Sequence, residues 1–258
     1  MRRGAVRQRI RLRHMQSSGP VFVHLHELNG DDELALDGVN TEAAMRLLAR
    51  LIEPACAAVD DQDAEQLLLL MPAADRDALL AVLHRRCWGD RIVSTMRCKQ
   101  CSVQFDLSFT LSELQRTLHE QGQQWLEEHF AQQVPPVPPA GRQELDAAES
   151  MYADQADQAL RVLTGHTEER LALAELLEHA APIIDLDLDA ECAECGHAQQ
   201  AHFDLQSFVL QRLLNERDLL LHEIHTMACG YHWPMHDILA LPRTRRRQFV
   251  QLLSGAAI

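Results

Sequence analysis

Two Cys-x-x-Cys elements, Cys98/Cys101 and Cys192/Cys195, carry the strongest chemical signal in this sequence. Thiolates at this spacing are zinc ligands, and two such pairs supply the tetrahedral set that the ion prefers. Four cysteines leave no coordination position for water. The one Zn2+ per chain that they imply is therefore structural and not catalytic. A long insertion separates the pairs, but closing a long loop costs only modestly more than closing a short one. A thioredoxin-type redox pair needs its first cysteine at a helix N-terminus, whereas strand-like sequence flanks both pairs here. Ligation by cysteine and histidine together stays open at the second pair, where His197 and His202 lie close; the first pair has no such neighbour. A metal-free knuckle is the remaining reading.

The other candidates are weaker. His222-Glu223-Ile224-His225 places its histidines three apart, whereas a zinc protease helix needs them four apart. With 14 histidines in the chain, and His232 and His236 nearby, these read as surface residues. Cys56, Cys87 and Cys229 read as small apolar core residues. No Gly-rich phosphate loop, nucleophile elbow or paired-carboxylate arrangement occurs. The chain is thus expected to be no enzyme and to take no small-molecule substrate. Arg243, Arg245, Arg246 and Arg247 concentrate positive charge near the end of an acidic chain. With Trp233 they are the candidates for partner binding, against the simpler reading of a solvated face.

Around these residues the hydrophobic period defines the elements. Val21 to His26 reads as a strand ended by the turn pair Asn29-Gly30. Thr41 to Glu53 and Asp75 to Trp88 read as helices, the first with Met45, Leu48, Leu51 and Ile52 on one face. Val103, Phe105, Leu107 and Phe109 alternate with polar residues, and Ile92 to Arg97 is the partner strand, with the first cysteine pair at the turn. Thr110-Leu111-Ser112-Glu113 is a capping box opening a helix toward Phe130. After the proline-rich stretch Val134 to Pro139, two helices (about Glu144 to Leu163 and Thr167 to Ala181) lead to a second hairpin. Its first strand alternates Ile184, Leu186 and Leu188 with Asp185, Asp187 and Asp189, which are expected to protect a sheet edge. The tripeptide Phe-Asp-Leu follows both cysteine turns, at Phe105 and Phe203, in the manner of an internal duplication. A long helix from Leu205 to Thr226, a break at Gly230, a short helix after Pro234 and a last one from Pro242 to Leu253 complete the chain.

The expected fold is therefore α+β and mainly helical. It consists of two pseudo-repeated halves joined at a zinc-ribbon-like four-cysteine site, with a C-terminal helical extension. The divisions are a basic arm over 1–20, a first half over 21–133, a linker over 134–143, a second half over 144–206 and a helical region over 207–258. The arm holds six arginines and no acid by His14, which fits a transit peptide less well than a frayed start. The 258 residues are 47% hydrophobic and 24% charged, values of ordinary globular chains. A formal charge of −14 disfavours nucleic acid, whose phosphates it repels. No apolar run reaches membrane-spanning length. Seven cysteines in a chain of this length fit a reducing cytoplasm better than a secreted disulfide scaffold.

Four stretches, taken in order, resemble one family. They are His26-Glu27-Leu28-Asn29-Gly30-Asp31-Asp32-Glu33, then Asp75 to Leu80 running to Trp88-Gly89-Asp90, the two cysteine knuckles, and Tyr231-His232-Trp233-Pro234 through Pro242. Together they resemble the T4-type phage baseplate proteins, the hub and hub-assembly-chaperone relatives of contractile tails and injection systems. The second knuckle matches the family's usual form; the first, Cys-Lys-Gln-Cys-Ser, lacks its customary proline and glycine. The resemblance implies a non-enzymatic part or helper of baseplate assembly, made in the bacterial cytoplasm, with other baseplate or tail subunits as partners. The alternative is a zinc-ribbon regulatory module for nucleic acid or transcription machinery, and a thiol oxidoreductase is a third possibility.

Overall fold

The computed structural model describes residues 9–15, 21–54, 64–130, 137–151, 155, 158 and 170–255. They form an α+β fold dominated by helices, with three small sheets. The chain divides into two compact units, each discontinuous in sequence. One contains the described residues of Met1–Arg11, Val21–Leu68 and Ser207–Ile258; the other contains those of Leu12–Pro20 and Leu69–Gln206. This division differs from the one expected. The described residues of 21–68 join the C-terminal region, and residues 69–130 share a unit with the second hairpin.

In the first unit, β1 (Ile10–Leu12), β2 (Val21–Leu25) and β3 (Ile52–Pro54) form a sheet in that order. Asn29-Gly30, read as a turn, instead opens helix α1 (Gly30–Ala35). The Asn29 side chain accepts from the Asp32 N–H at 2.9 Å while the Asp32 carboxylate accepts from the Asn29 N–H, a reciprocal cap on two otherwise orphaned donors. Helix α2 (Thr41–Leu51) buries Met45, Leu48 and Leu51. Ile52 leaves the helix, turns extended and pairs with Leu25 as the start of β3.

The long helix expected from Leu205 is two helices, α8 (Leu205–Asn215) and α9 (Arg217–Tyr231), separated at Glu216. Gly230 does not break α9, which ends at the left-handed His232. A Cβ on Gly230 would lie 2.6 Å from side-chain carbons of Leu253. The glycine is there to admit α11 (Arg243–Leu253). Between these helices runs the short α10 (Met235–Leu239), with Pro234 and Pro242 at the N-cap positions of α10 and α11. Leu220, Ile224, Met227, Ile238 and Leu239 form the core here, with Leu34, Trp233 and Phe249 packed on it.

The second unit is organised on α4 (Ala73–Trp88), which follows α3 (Ala64–Leu70). Leu79, Leu80, Val82 and Leu83 of α4 are buried, as are its polar residues Asp75, Arg76 and Asp77. Those three act as internal connectors. Asp75 accepts from the backbone N–H groups of Arg13 (2.7 Å) and His14 (2.9 Å), and Asp77 accepts from that of Ile184 at 2.7 Å. Arg76 reaches Glu144 at 2.7 Å and Gln206 at 3.1 Å. Burial raises the carboxyl pKa of Asp75, and that of Asp77 to about 6, against the hydrogen bonds that oppose the shift.

Helix α5 (Leu111–Phe130) begins where Thr110 Oγ1 donates to Glu113 at 2.6 Å and Asp90 accepts from the Ser112 N–H. It lies against α7 (Arg170–Ala180). A Cβ on Gly122 would collide with the His179 carbonyl, and Trp125 stacks on the His179 ring at 4.3 Å. Helix α6 (Gly141–Glu149) starts inside the expected linker. There Ala140 bridges to Pro72 and the Gly141 N–H donates to Met71, so the end of that segment is built into the unit. Residues 134–136 lie outside the described set.

Candidate metal centre

Two hairpins in the second unit present the four cysteines. Strands β4 (Arg91–Arg97) and β5 (Gln104–Thr110) pair antiparallel, as do β6 (Asp185–Glu191) and β7 (Ala198–Asp204); all four are seven residues long. The registers match at one constant offset, from Arg91 opposite Thr110 and Asp185 opposite Asp204 to Arg97 opposite Gln104 and Glu191 opposite Ala198. The equivalence continues past the strands. Leu111 donates its N–H to the Asp90 carbonyl at 2.9 Å, and Leu205 donates to Ile184 at 2.9 Å. Phe203 therefore corresponds to Phe109, against whose ring it packs edge-on at 5.1 Å, and Phe105 corresponds to Gln199. The Phe-Asp-Leu tripeptides do not occupy equivalent places.

The knuckle turns are alike in backbone geometry. Cys98 N–H donates to Val103 and Ser102 N–H to Cys98; Cys192 N–H donates to His197 and Gly196 N–H to Cys192, all at 2.9 to 3.0 Å. This closure needs a left-handed residue after the second cysteine. Gly196 (φ 69°) provides it without strain, and Ser102 (φ 61°) takes the same conformation at the cost a Cβ imposes there. The turn also aims the Gln100 and Cys101 N–H groups at the Cys98 sulfur, at 3.4 and 3.5 Å.

The sulfurs face one another. Cys98 Sγ lies 3.6 Å from Cys195 Sγ, Cys101 Sγ lies 3.8 Å from Cys192 Sγ, and all four fall within 4.8 Å of one another. A tetrahedral ion with metal–sulfur bonds of about 2.3 Å sets its ligands about 3.8 Å apart. A disulfide needs about 2.05 Å, and all four thiols are free. The donor set thus fits a single thiophilic ion with closed coordination. Cys98 and Cys192 are buried, while Cys101 and Cys195 are exposed. The N–H groups of Cys101 and Gln100 and the adjoining sulfurs lower the Cys98 thiol to about 6. The His197 N–H works to lower Cys195, but burial and the three other sulfurs push it up to about 12. Four crowded thiols resist full ionisation unless a cation balances them.

Gln199, which sequence pattern alone did not mark, links the two knuckles. Its side-chain oxygen accepts from the Lys99 N–H at 2.9 Å and its amide donates to the Arg97 carbonyl at 3.2 Å. It is buried, although glutamine in an alternating strand ordinarily faces water, so no local signal distinguishes it. Neither His197 nor His202 joins the cluster. His202 lies on the outer face, 3.2 Å from Asp185 and 3.3 Å from Asp187.

The arginines expected to bind a partner are in large part committed internally. Arg246, 1% exposed, pairs with Glu223 at 2.6 Å and Glu33 at 2.5 Å. Arg243, also buried, pairs with Glu33 at 2.8 Å and with Glu216. Half-buried Arg247 pairs with Glu216 and Glu223 at 2.9 and 3.2 Å. The reading of Arg243 and Arg246 as a docking surface is corrected: both guanidiniums face the interior, where their shared partner Glu33 lies 210 and 213 residues away in sequence. Arg245 is exposed. Trp233 is half-buried, stacked on Tyr231 at 5.1 Å and edge-on to Phe249 at 5.2 Å. His222, His225, His232 and His236 are exposed, as are Asp185, Asp187 and Asp189. Cys229, expected in the core, is also exposed; Cys87 is half-buried, and Cys56 lies outside the described residues.

Among the described residues, no helix is long and apolar enough to cross a membrane. No protein-family model matches the chain, and neither a curated protein nor a solved structure matches it.

Proposed function

We propose that this chain is a non-enzymatic component or assembly chaperone of a contractile phage baseplate or injection system. Structural zinc at Cys98, Cys101, Cys192 and Cys195 closes its fold. One observation carries the reading. The stretches of the family resemblance that lie furthest apart, His26–Glu33 and Tyr231–Pro242, interlock in the first unit. Asn29 bridges to Pro242, the Arg243 N–H donates to the Leu28 carbonyl at 2.8 Å, and Gly30 sits against Leu239. The second stretch, around Asp75 to Asp90, anchors the unit that bears the knuckles. The buried charged residues of these stretches serve internal contacts: Asp32 caps α1, and Asp75, Arg76 and Asp77 bond to neighbouring segments.

The matched registers and knuckle turns support descent of the two hairpins from one duplicated unit, joined as a zinc-ribbon-like pair. Zinc is the ion favoured by four thiolates in tetrahedral array, although iron also takes such a site. On this reading the exposed helical surfaces, including Arg245 and the half-buried Trp233, face other baseplate subunits during assembly in the bacterial cytoplasm.

Deletion of the gene in cells that make the contractile particle is the test. Electron microscopy is expected to show tubes and sheaths without complete baseplates, and complementation restores them. Intact, infective particles in the deletion strain would refute the proposal. Salt-dependent retention of DNA by the purified protein would favour the regulatory zinc-ribbon reading in its place.

A further inference from the structure

We infer that the four-cysteine centre is a reversible redox switch: peroxide converts it to two disulfides between the knuckles, Cys98–Cys195 and Cys101–Cys192, and the ion is released. The inference rests on the reading of these sulfurs as zinc ligands. The pairing follows from which sulfurs meet. Cys98 Sγ lies 3.6 Å from Cys195 Sγ, and Cys101 Sγ lies 3.8 Å from Cys192 Sγ, so both approaches join one knuckle to the other. In each, one cysteine is exposed and its neighbour is buried. Cys101 and Cys195 are open to a small oxidant, and each has a shielded thiol of the opposite knuckle at hand to resolve the product. Closing either gap to a disulfide bond takes a movement of about 1.5–1.8 Å.

Contacts that use no sulfur hold the knuckles together while the ion leaves. Gln199 bonds the Lys99 N–H at 2.9 Å and the Arg97 carbonyl at 3.2 Å, and Phe109 packs edge-on against Phe203. At each pair the exposed thiolate attacks one peroxide oxygen, the O–O bond breaks, hydroxide leaves and the sulfur becomes a sulfenic acid. The buried thiolate then attacks that sulfur, the S–O bond breaks, a second hydroxide leaves and the disulfide forms. The two sulfurs give up one electron pair and the peroxide takes it. With two protons from solvent, each pair yields one disulfide and two waters. Two peroxides consume all four thiolates, the form in which cysteine binds metal. Covalent bridges between residues 97 and 91 positions apart then fasten the hairpins in place of the ion, and a dithiol reverses the change by exchange.

The full chain, its zinc content measured first, is treated with hydrogen peroxide beside a chromophoric zinc chelator. Release of one equivalent is expected, with two disulfides formed per ion, and dithiothreitol with Zn2+ restores the starting content. Peptide mapping without reduction should find Cys98 linked to Cys195 and Cys101 linked to Cys192. The oxidised chain should also melt higher than the reduced chain stripped of metal, because only bridges between knuckles fasten the hairpins. Cys229→Ser, which removes an exposed thiol outside the centre, leaves the release unchanged. Bridges within each knuckle, Cys98–Cys101 and Cys192–Cys195, overturn the inference, as do retention of zinc under excess peroxide and loss of release in Cys229→Ser. A chain that holds no zinc at the start refutes the metal reading separately, and the peptide map decides the pairing whatever that content is.

Discussion

Replacing Arg246 by Met tests whether the C-terminal arginines hold the fold together or await a partner. Its guanidinium bonds Glu223 and Glu33 at 2.6 and 2.5 Å, and all three side chains are at most 5% exposed. Removing one member of a buried ion pair costs about 3–5 kcal/mol, because the charge left behind loses both water and its counterion. Here each carboxylate keeps a second arginine. Glu33 retains Arg243 at 2.8 Å and Glu223 retains Arg247 at 3.2 Å. Retained partners place the loss at the lower end of that range, about 3 kcal/mol. Methionine fills much of the vacated volume, so little cavity cost is added. Urea unfolding followed by circular dichroism and tryptophan fluorescence measures the change, with metal content held at one equivalent. Arg245→Met is the control. Its side chain is exposed, and a shift within about 0.5 kcal/mol is expected. If Arg246→Met costs less than about 1 kcal/mol, or if Arg245→Met costs as much, the internal network does not stabilise the fold as argued.

Metal analysis of the purified chain is expected to find one equivalent of zinc, and Cys98→Ser and Cys192→Ser each abolish it; retention in either variant excludes a shared site. Gly196→Ala places a Cβ at φ 69° with only Glu191 within 4 Å, so its cost of about 1 kcal/mol is conformational. Ser102→Gly, at φ 61° in the twin turn, is expected to stabilise by up to about 1 kcal/mol, and opposite signs in thermal melts check the pair. Gln199→Leu strands the Lys99 N–H and the Arg97 carbonyl, costing about 1–3 kcal/mol; a chelator should strip the metal faster from this variant than from wild type. Burial raises the Asp77 carboxyl from 3.8 to about 6, so the folded state holds that proton more tightly than the unfolded chain does. The stabilisation is present below about pH 4 and is lost as pH rises through about 6. Asp77→Asn keeps the acceptor for the Ile184 N–H, and its stability relative to wild type should rise by on the order of 3 kcal/mol between pH 4 and pH 7; a pH-independent difference contradicts the burial argument.

Much of the architecture is legible in short-range pattern. The alternation of Val103, Phe105, Leu107 and Phe109 with polar neighbours marks β5, and the Thr110–Glu113 pair marks the start of α5. The two Cys-x-x-Cys turns identify the four sulfurs that come together, since each turn holds its own pair and only four such residues are so placed. At other positions local chemistry admits two outcomes. Asn29-Gly30 suits a tight turn as well as a helix cap, and acceptance of its N–H by the Asp32 carboxylate settles the matter. Gly230 suits a helix stop as well as a close crossing, and Leu253 decides for the crossing. The repeated Phe-Asp-Leu tripeptide pointed to the wrong equivalence between hairpins, because pairing register depends on the hydrogen-bond ladder and not on a shared string.

The cysteine spacing that pointed to metal was thus settled by the sequence itself, through turns that need only a few consecutive residues. The tertiary structure decided how the two knuckles meet, with Gln199 bonded across to Lys99 and Arg97. It also decided that Arg243 and Arg246 belong to the interior. A run of arginines on a helix looks the same whether it faces water or carboxylates, and Glu33 lies 213 residues before Arg246. Periodicity reports which face of an element is apolar. It carries no information about a distant acid that makes burial of a charge tolerable, and that partner exists only once the chain has folded.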